Sequence, residues 1–367
     1  MSTLTILYAY RNREAQRVQL SLQSLQQQTT QNFEVVFVDY GSEPDFAKAV
    51  QDVVESFAFA TYYYVAHPGL LWNKSKALNY GIRQTKTPFI LIADVDLLFA
   101  PNAVAVFKVL THKKTFSLFQ VGYLPKSISL KEIEATPFER LTPKHTGDTF
   151  GIGLFSKDAL EKVLGLDEFF HFYGSEDEDL NARLLQAGFG LFREPQTLFL
   201  HIWHSRYPQK EDLQLTKQPR LLNAQRINQE YFLRQKALQH IFPLQQQKSG
   251  VGYTLKDAAQ LKKPEVSLQL PNIAAKVTHF LEVELPFYEG KVIAVHFFED
   301  PYCNSLKYRV KKWLGKQTQP YMTMKEVNDA VLRNIIFKYR HHNYSFMVSD
   351  NLQSIDFAID LTKKINA

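Results

Sequence analysis

Three short apolar runs, Leu4–Tyr10, Phe33–Val38 and Pro88–Ala93, each stop at a charged residue: Arg11, Asp39 and Asp94. Between them lie stretches with helical spacing: Gln16–Gln27, with Val18, Leu22 and Leu25 on one stripe, then Asp45–Phe57 and Asn73–Arg83. Thr61–Val65 adds a further strand-like run. Parallel strands are buried on both sides and need a helix-length crossover between them. Strand and helix in alternation therefore predict an α/β chain, a mostly parallel sheet with helices on both faces. Such sheets bind ligands beyond the carboxyl ends of their strands. Arg11, Asp39 and Asp94 are expected to converge on one edge.

Farther along, Pro101–Leu110 reads as a helix, and residues 123–148 as a segment that includes a long loop or flap. Ser156–Leu164 starts a helix at a serine cap, and Glu178–Ala187 is a helix that Gly188 can end. Thr197–Trp203 is strand-like and Asn223–Ile241 helical. The polar run Gln245-Gln246-Gln247-Lys248-Ser249-Gly250 marks a boundary between a domain at 1–244 and a smaller α+β domain at 251–367. The latter holds strand-like pieces, Val277–Val283, Lys291–Phe298 and Tyr344–Val348, and a helical one, Met324–Tyr339.

A chain of 367 residues is long enough for two such domains. Of its net charge of +6, most sits in residues 245–367, where 17 Lys/Arg face 12 Asp/Glu. The first 244 residues are close to neutral, which argues against a nucleic-acid partner. The single cysteine, Cys303, excludes an intrachain disulfide and suits a reducing compartment. Met1–Tyr8 has no basic n-region and no adequate apolar h-region, and no run approaches the length of a membrane span. A cytoplasmic chain is expected. Residues 305–316, with Lys307-Tyr308-Arg309-Val310-Lys311-Lys312-Trp313-Leu314, read as a basic amphipathic helix. It suits either a peripheral contact with the inner face of an anionic membrane, a protein partner or a plain solvated face.

Three pieces carry chemistry. Asp94-Val95-Asp96 follows a buried strand, where carboxylates can anchor a divalent cation against a diphosphate; an acidic turn is the alternative. His201-Ile202-Trp203-His204 offers two imidazoles at ligand spacing, or two structural histidines. A mixed carboxylate and imidazole set suits Mn²⁺ better than Ca²⁺, with Mg²⁺ also usable. Glu176-Asp177-Glu178-Asp179 is an acidic helix start favoured by the dipole, or the source of a general base. Arg11, Arg13, Lys74 and Lys76 could balance phosphate charge, and Asp39 could accept from a ribose or a base. Trp72 fits packing on a base or in the core.

Taken together, these residues resemble the inverting GT-A glycosyltransferases. They are most similar to the β-1,4-galactosyltransferase family, with features of family 2 and of bacterial chondroitin-polymerase-type transferases. Ala9-Tyr10-Arg11-Asn12-Arg13-Glu14 is similar to the first nucleotide-binding motif, and Trp72-Asn73-Lys74-Ser75-Lys76-Ala77-Leu78-Asn79-Tyr80-Gly81 to the segment that follows it. Asp94-Val95-Asp96-Leu97 resembles the metal motif. Gly151 to Leu180 resembles the Trp-Gly-Gly-Glu-Asp segment, which here reads Phe172-Tyr173-Gly174-Ser175-Glu176-Asp177. His201 to Arg206 is similar to the Met-x-x-His-Ser-Arg segment.

The resemblance covers about residues 4–235 and implies a GT-A, Rossmann-like fold acting on a UDP-sugar and a saccharide acceptor. It makes Asp96 and His204 metal ligands and puts His201 where the family has methionine; imidazole is harder than a thioether, which broadens the choice toward Mg²⁺. It makes Asp177 the catalytic base, with Glu176 its acceptor-site neighbour. Tyr10, Arg11, Arg13, Asp39, Trp72, Lys74 and Asp94 fall to the nucleotide, and Gly151, Tyr173 and Gly174 to the donor sugar. Tyr173 in place of tryptophan and Ser175 in place of glycine are departures that bear on donor and acceptor choice. The alternatives are a retaining enzyme related to the polypeptide N-acetylgalactosaminyltransferases and a catalytically silent sugar-binding subunit.

Overall fold

The computed structural model describes residues 3–205, 209–244 and 249–362. Arg206 and the run Gln245-Gln246-Gln247-Lys248, where the domain boundary was expected, lie outside these described residues. The chain forms two compact units. One comprises Met1–Ala66, Trp72–Arg206 and Ile227–Gly252; the other comprises His67–Leu71, Tyr207–Arg226 and Tyr253–Ala367.

In chain order the first unit contains β1 (Leu4–Tyr10), α1 (Ala15–Gln26), β2 (Glu34–Asp39), α2 (Pro44–Glu55), β3 (Ala60–Tyr64), α3 (Lys74–Gln84), β4 (Phe89–Ala93) and β5 (Leu97–Phe99). These are followed by α4 (Ala103–Leu110), β6 (Thr115–Tyr123), α5 (Leu130–Ala135), β7 (His145–Ser156), α6 (Lys157–Lys162), α7 (Glu176–Gln186), β8 (Gly190–Glu194), β9 (Phe199–His201) and, from Ile227 on, α8 (Ala224–Ala237). The strands form a sheet of order β3-β2-β1-β4-β7-β6-β9-β5, with β8 beside β6. The β3, β2, β1 and β4 strands are parallel, while β7 runs antiparallel to both β4 and β6. This mixed α/β sheet is consistent with the GT-A, Rossmann-like architecture that the resemblance implies.

Alternation along β1 covers both faces of the sheet. Leu4, Ile6, Tyr8 and Tyr10 join a buried cluster with Val18, Leu22 and Leu25 of α1, Val50 and Val54 of α2, and Val104 and Phe107 of α4. Leu7 points the other way, against α3. There a Cβ on Gly81 would lie 2.2 Å from the Leu7 Cδ1, so only glycine lets α3 pack this close. The register pairs Tyr10 with Asp39 and Tyr8 with Ala93. Arg11, Asp39 and Asp94 thus leave three neighbouring strands on the same edge.

Residues 123–148 hold regular structure beside their loops: the end of β6, α5 with its Ser129–Glu132 capping box, and the first part of β7. One expectation is corrected. Val277–Val283 is not a strand but helix. Its buried Val277, Phe280 and Leu281, with Leu285 just beyond, recur at helical spacing, which outweighs the β-branched residues in the segment.

The second unit contains α9 (Leu255–Leu261), β10 (Val266–Pro271), α10 (Ala274–His279), β11 (Val292–Phe298), α11 (Leu306–Trp313), α12 (Met324–Asn334), β12 (Asn343–Val348) and β13 (Ser354–Asp360). Its sheet order is β10-β11-β13-β12. Residues 67–71 belong here because Phe346 N donates to Gly69 O at 2.9 Å, and His67 Nε2 lies 3.0 Å from Asn343 Oδ1. No helix among the described residues is long and apolar enough to cross a membrane.

Candidate active site

The short strand β5 decides where Asp96 goes. It pairs antiparallel with β9, Leu97 opposite His201, and Ile202 N donates to Asp96 O at 3.0 Å. This brings the buried Asp96 to His201 and His204. Asp96 Oδ1 is 3.5 Å from His201 Nε2, and Oδ2 is 3.5 Å from His204 Nε2. One ligand atom from each residue lies within 4.8 Å of the others, in a group of three potential ligands found among the described residues. Metal–ligand bonds of about 2.0–2.2 Å place neighbouring ligand atoms roughly 3–4 Å apart, so one carboxylate and two imidazoles with these separations fit a single divalent ion.

Asp94, two residues upstream, does something different. Its Oδ1 accepts from Lys74 Nζ at 2.8 Å, and the same ammonium is 4.0 Å from Glu176 Oε1. Lys74 is the first residue of α3, whose N-cap Asn73 accepts from Lys76 N at 2.8 Å. Burial acts to raise the Asp94 pKa, but the Lys74 charge overrides it and holds the carboxyl below its ordinary value. Burial likewise acts to lower Lys74, and the charges of Asp94 and Glu176 more than offset it. Lys74 therefore stays charged, and it joins the end of β4 to the start of α7.

The turn before α7 is strained. Phe172, Gly174 and Ser175 have φ of 65°, 100° and 71°. Left-handed backbone at non-glycine residues costs about 1–2 kcal/mol each and persists where the surroundings enforce it. Here Phe172 N donates to Trp72 O at 3.1 Å, while Asn228 Nδ2 donates to His171 O and Tyr173 O at 3.0 and 3.1 Å. The turn delivers Glu176 and Asp177 into a small cavity that they line with Lys74, Phe150, Gly151 and Leu180. A Cβ on Gly151 would lie 3.1 Å from Asp177 Oδ2. Burial, then the neighbouring Asp177 charge, pushes Glu176 up; burial also pushes Asp177 up, against the pull of Lys74.

The remaining expected site residues divide. Arg11 is half-buried, Arg13 exposed, Trp72 half-buried with its ring edge-on to Tyr40, and Tyr173 exposed. Asp39 is fully buried: Oδ1 accepts from Ser42 N at 2.9 Å and Oδ2 from Tyr62 OH at 2.8 Å. Tyr10 is buried too, its hydroxyl donating to Arg13 O at 2.5 Å. Both shape the loops at the strand ends rather than present free polar groups. Lys76 is buried and does not line the cavity.

Residues 5–124 match the family model described as glycosyl transferase family 2, and residues 135–205 match one described as the N-terminal domain of galactosyltransferase. Residues 5–124 and 135–205 are thus glycosyltransferase sequence of the family 2 and galactosyltransferase type. Among solved structures it is similar to GalNAc-T7 with UDP, GalNAc and Mn²⁺, at 13% identity and a TM-score of 0.43. That similarity covers 55% of this chain and 43% of the GalNAc-T7 chain. No curated protein matches the sequence.

Sequence reasoning missed several residues that build the candidate site. Asn79 Oδ1 accepts from Leu166 N at 2.8 Å, and Asn79 Nδ2 donates to the buried Glu168 Oε1 at 3.0 Å. Asn73 Nδ2 donates to Glu168 O at 2.8 Å. The two asparagines thus fix the loop that leads into the strained turn. Their presence in the 72–81 segment was visible; the loop they hold was not. Tyr123 lies beside His201, ring centroids 5.4 Å apart, and stacks on His145 at 4.8 Å. Nothing in the linear sequence points to that stack.

Proposed function

We propose that the transferase moves a hexose or N-acetylhexosamine from a UDP-sugar to a hydroxyl of a saccharide acceptor, with inversion at the anomeric carbon. The observation that carries this reading is the Lys74 bridge. It ties Asp94, two residues from the Asp96, His201 and His204 group, to Glu176, the neighbour of Asp177. A leaving diphosphate and an attacking hydroxyl thereby have charged partners within one site.

Asp96, His201 and His204 would hold Mn²⁺, with Mg²⁺ as a substitute, and a bound ion there supplies charge neutralisation for the departing diphosphate. Lys74 stays protonated and adds a second positive charge on the phosphate side. Arg11 and Arg13 lie past the end of β1 and supply further cations to the nucleotide, with Trp72 and Asp94 beside it and Tyr10 and Asp39 shaping the loops beneath. Gly151, Tyr173 and Gly174 border the donor sugar. Asp177, ionised, takes the proton of the acceptor hydroxyl as its oxygen bonds to the anomeric carbon and the bond to the β-phosphate oxygen breaks. Glu176 accepts a hydrogen bond from the acceptor. A single displacement of this kind inverts the anomeric centre. We place the reaction in the cytoplasm, supported by the lone Cys303.

The test is a screen of UDP-sugars with Mn²⁺ for hydrolysis or protection against heat, followed by acceptors with the best donor. Asp177→Asn is expected to lower transfer about 10²–10⁴-fold while donor binding persists. Unchanged transfer in that variant would point to a different base, and retained anomeric configuration would point to a double displacement or front-side route. Failure of every nucleotide-sugar to bind with any divalent metal would remove the reading altogether.

A further inference from the structure

We infer that α11 and the turn after it dock the second unit on an anionic lipid surface. The helix opens at Ser305, whose Oγ accepts from Tyr308 N at 3.2 Å. One side of it is fastened to the unit. Tyr308 packs its ring against Tyr302 and Tyr321, centroids 5.8 and 5.2 Å away, and donates its hydroxyl to Gln319 O at 3.1 Å. At 100° per residue the opposite side carries Leu306, Val310, Trp313 and Leu314. These are 80%, 48%, 84% and 53% exposed, and no residue of the helix is buried. A water-facing helix normally turns its apolar stripe inward. This one is clamped by a tyrosine with the stripe outward.

The flanks of that stripe are cationic. Lys307 and Lys311 fall on one side, Arg309 and Lys312 on the other, and Lys316 follows in the turn. From Pro301 to Pro320 there is no acidic residue. None of the five cations is in an ion pair among the described residues. The nearest acids in sequence are already engaged: Glu299 Oε1 accepts from Asn304 Nδ2 at 2.8 Å, and Asp300 accepts from Tyr302 N and Tyr321 OH at 2.9 and 3.0 Å. An apolar stripe rimmed on both sides by lysine and arginine suits a helix lying in the plane of a bilayer. The stripe enters the acyl boundary, the long cationic side chains reach back to anionic headgroups, and tryptophan is favoured at that depth. A protein groove able to take the same face would need acids along both walls. A lipid surface supplies them everywhere.

The inference does not depend on the catalytic reading, since binding is measured without donor or acceptor. The full-length chain is sedimented at low salt with vesicles of phosphatidylcholine alone and of phosphatidylcholine with phosphatidylglycerol at about 7:3. Pelleting is expected only with the anionic vesicles, and it should fall as salt rises. Trp313→Ser with Leu314→Ser, and separately Lys307→Glu with Lys311→Glu, should each weaken binding about tenfold or more at an unchanged melting temperature. The inference is overturned if the wild-type chain stays in the supernatant at low salt or pellets equally with neutral vesicles. It also fails if both variants bind undiminished, or if sedimentation velocity shows self-association that the Trp313→Ser variant abolishes.

Discussion

Within Glu176-Asp177-Glu178-Asp179, position on α7 decides what each carboxylate does. Glu176 and Asp177 reach the cavity with Lys74, whereas Asp179 is buried and pairs with Arg183 one turn on, at 2.8 Å. Arg183 also donates to Val163 O and Gly165 O, so this pair is structural. Glu178 sits near the Ser175 hydroxyl, 3.4 Å away. The pKa direction of Asp177 yields a pH prediction. As the proposed base, Asp177 works only when ionised, and burial raises this group, with Lys74 pulling it back down. The acid limb of kcat/KM is therefore expected above the ordinary aspartate range. Lys74→Met removes the cation that favours the ionised form, so the limb should move to still higher pH. A limb that stays put, or moves down, in a pH series of the two proteins would mean that Lys74 does not act on the base. The acidic run itself was legible in the sequence; the different tasks of its members were not, because helical phase and burial separate them.

At the scale of elements, two close approaches set the site. Strand β7 meets the start of α7 at Gly151, where a methyl group would press on Asp177 Oδ2. Gly151→Ala is expected to lower the transfer rate by about tenfold or more through displacement of Asp177, the proposed base, with little change in melting temperature. Helix α3 meets β1 at Gly81. Gly81→Ala overpacks that contact and should cost about 1–3 kcal/mol in urea unfolding; Leu7→Ala in the same chain should recover part of the loss in a double-mutant cycle. The parallel strands β1, β2 and β4 were legible because their continuous apolar runs end at charges. β7 was not, since its first half, His145-Thr146-Gly147-Asp148-Thr149, is polar and largely exposed. Val277–Val283 misled because its valines and threonine favour strands in isolation, while its buried side chains face one way only as a helix.

For the molecule as a whole, ligand binding and folding are linked. An ion shared by Asp96, His201 and His204 would hold the β5–β9 pairing to the loop after β9, and binding to the folded state alone stabilises by about 2.7 kcal/mol at a hundredfold excess over Kd. Mn²⁺ should therefore raise the melting temperature of the wild-type chain, chelation should reverse it, and His204→Ala should lose the shift while folding normally without metal. An identical Mn²⁺ shift in that variant, read by calorimetry, would place the ion elsewhere. The excess positive charge of residues 245–367 belongs to this scale too, since it gathers partly on α11 with an apolar stripe facing water.

The sequence by itself determined which strands are parallel and buried, where they end, and which residue types stand at those ends, because these follow from local runs of apolar and charged side chains. It also contained every residue of the acid, imidazole and cation groups described above. Only the tertiary structure decided which of them meet. Asp96 reaches His201 and His204 through the antiparallel pairing of two three-residue strands distant in sequence, and Asp94 turns to Lys74 instead of joining them. Asp39 and Tyr10, equally polar and equally well placed in the chain, are drawn into buried hydrogen bonds with Ser42, Tyr62 and Arg13. The reason is that burial and pairing are properties of surfaces brought together by packing, and a linear pattern fixes the surfaces without fixing their partners.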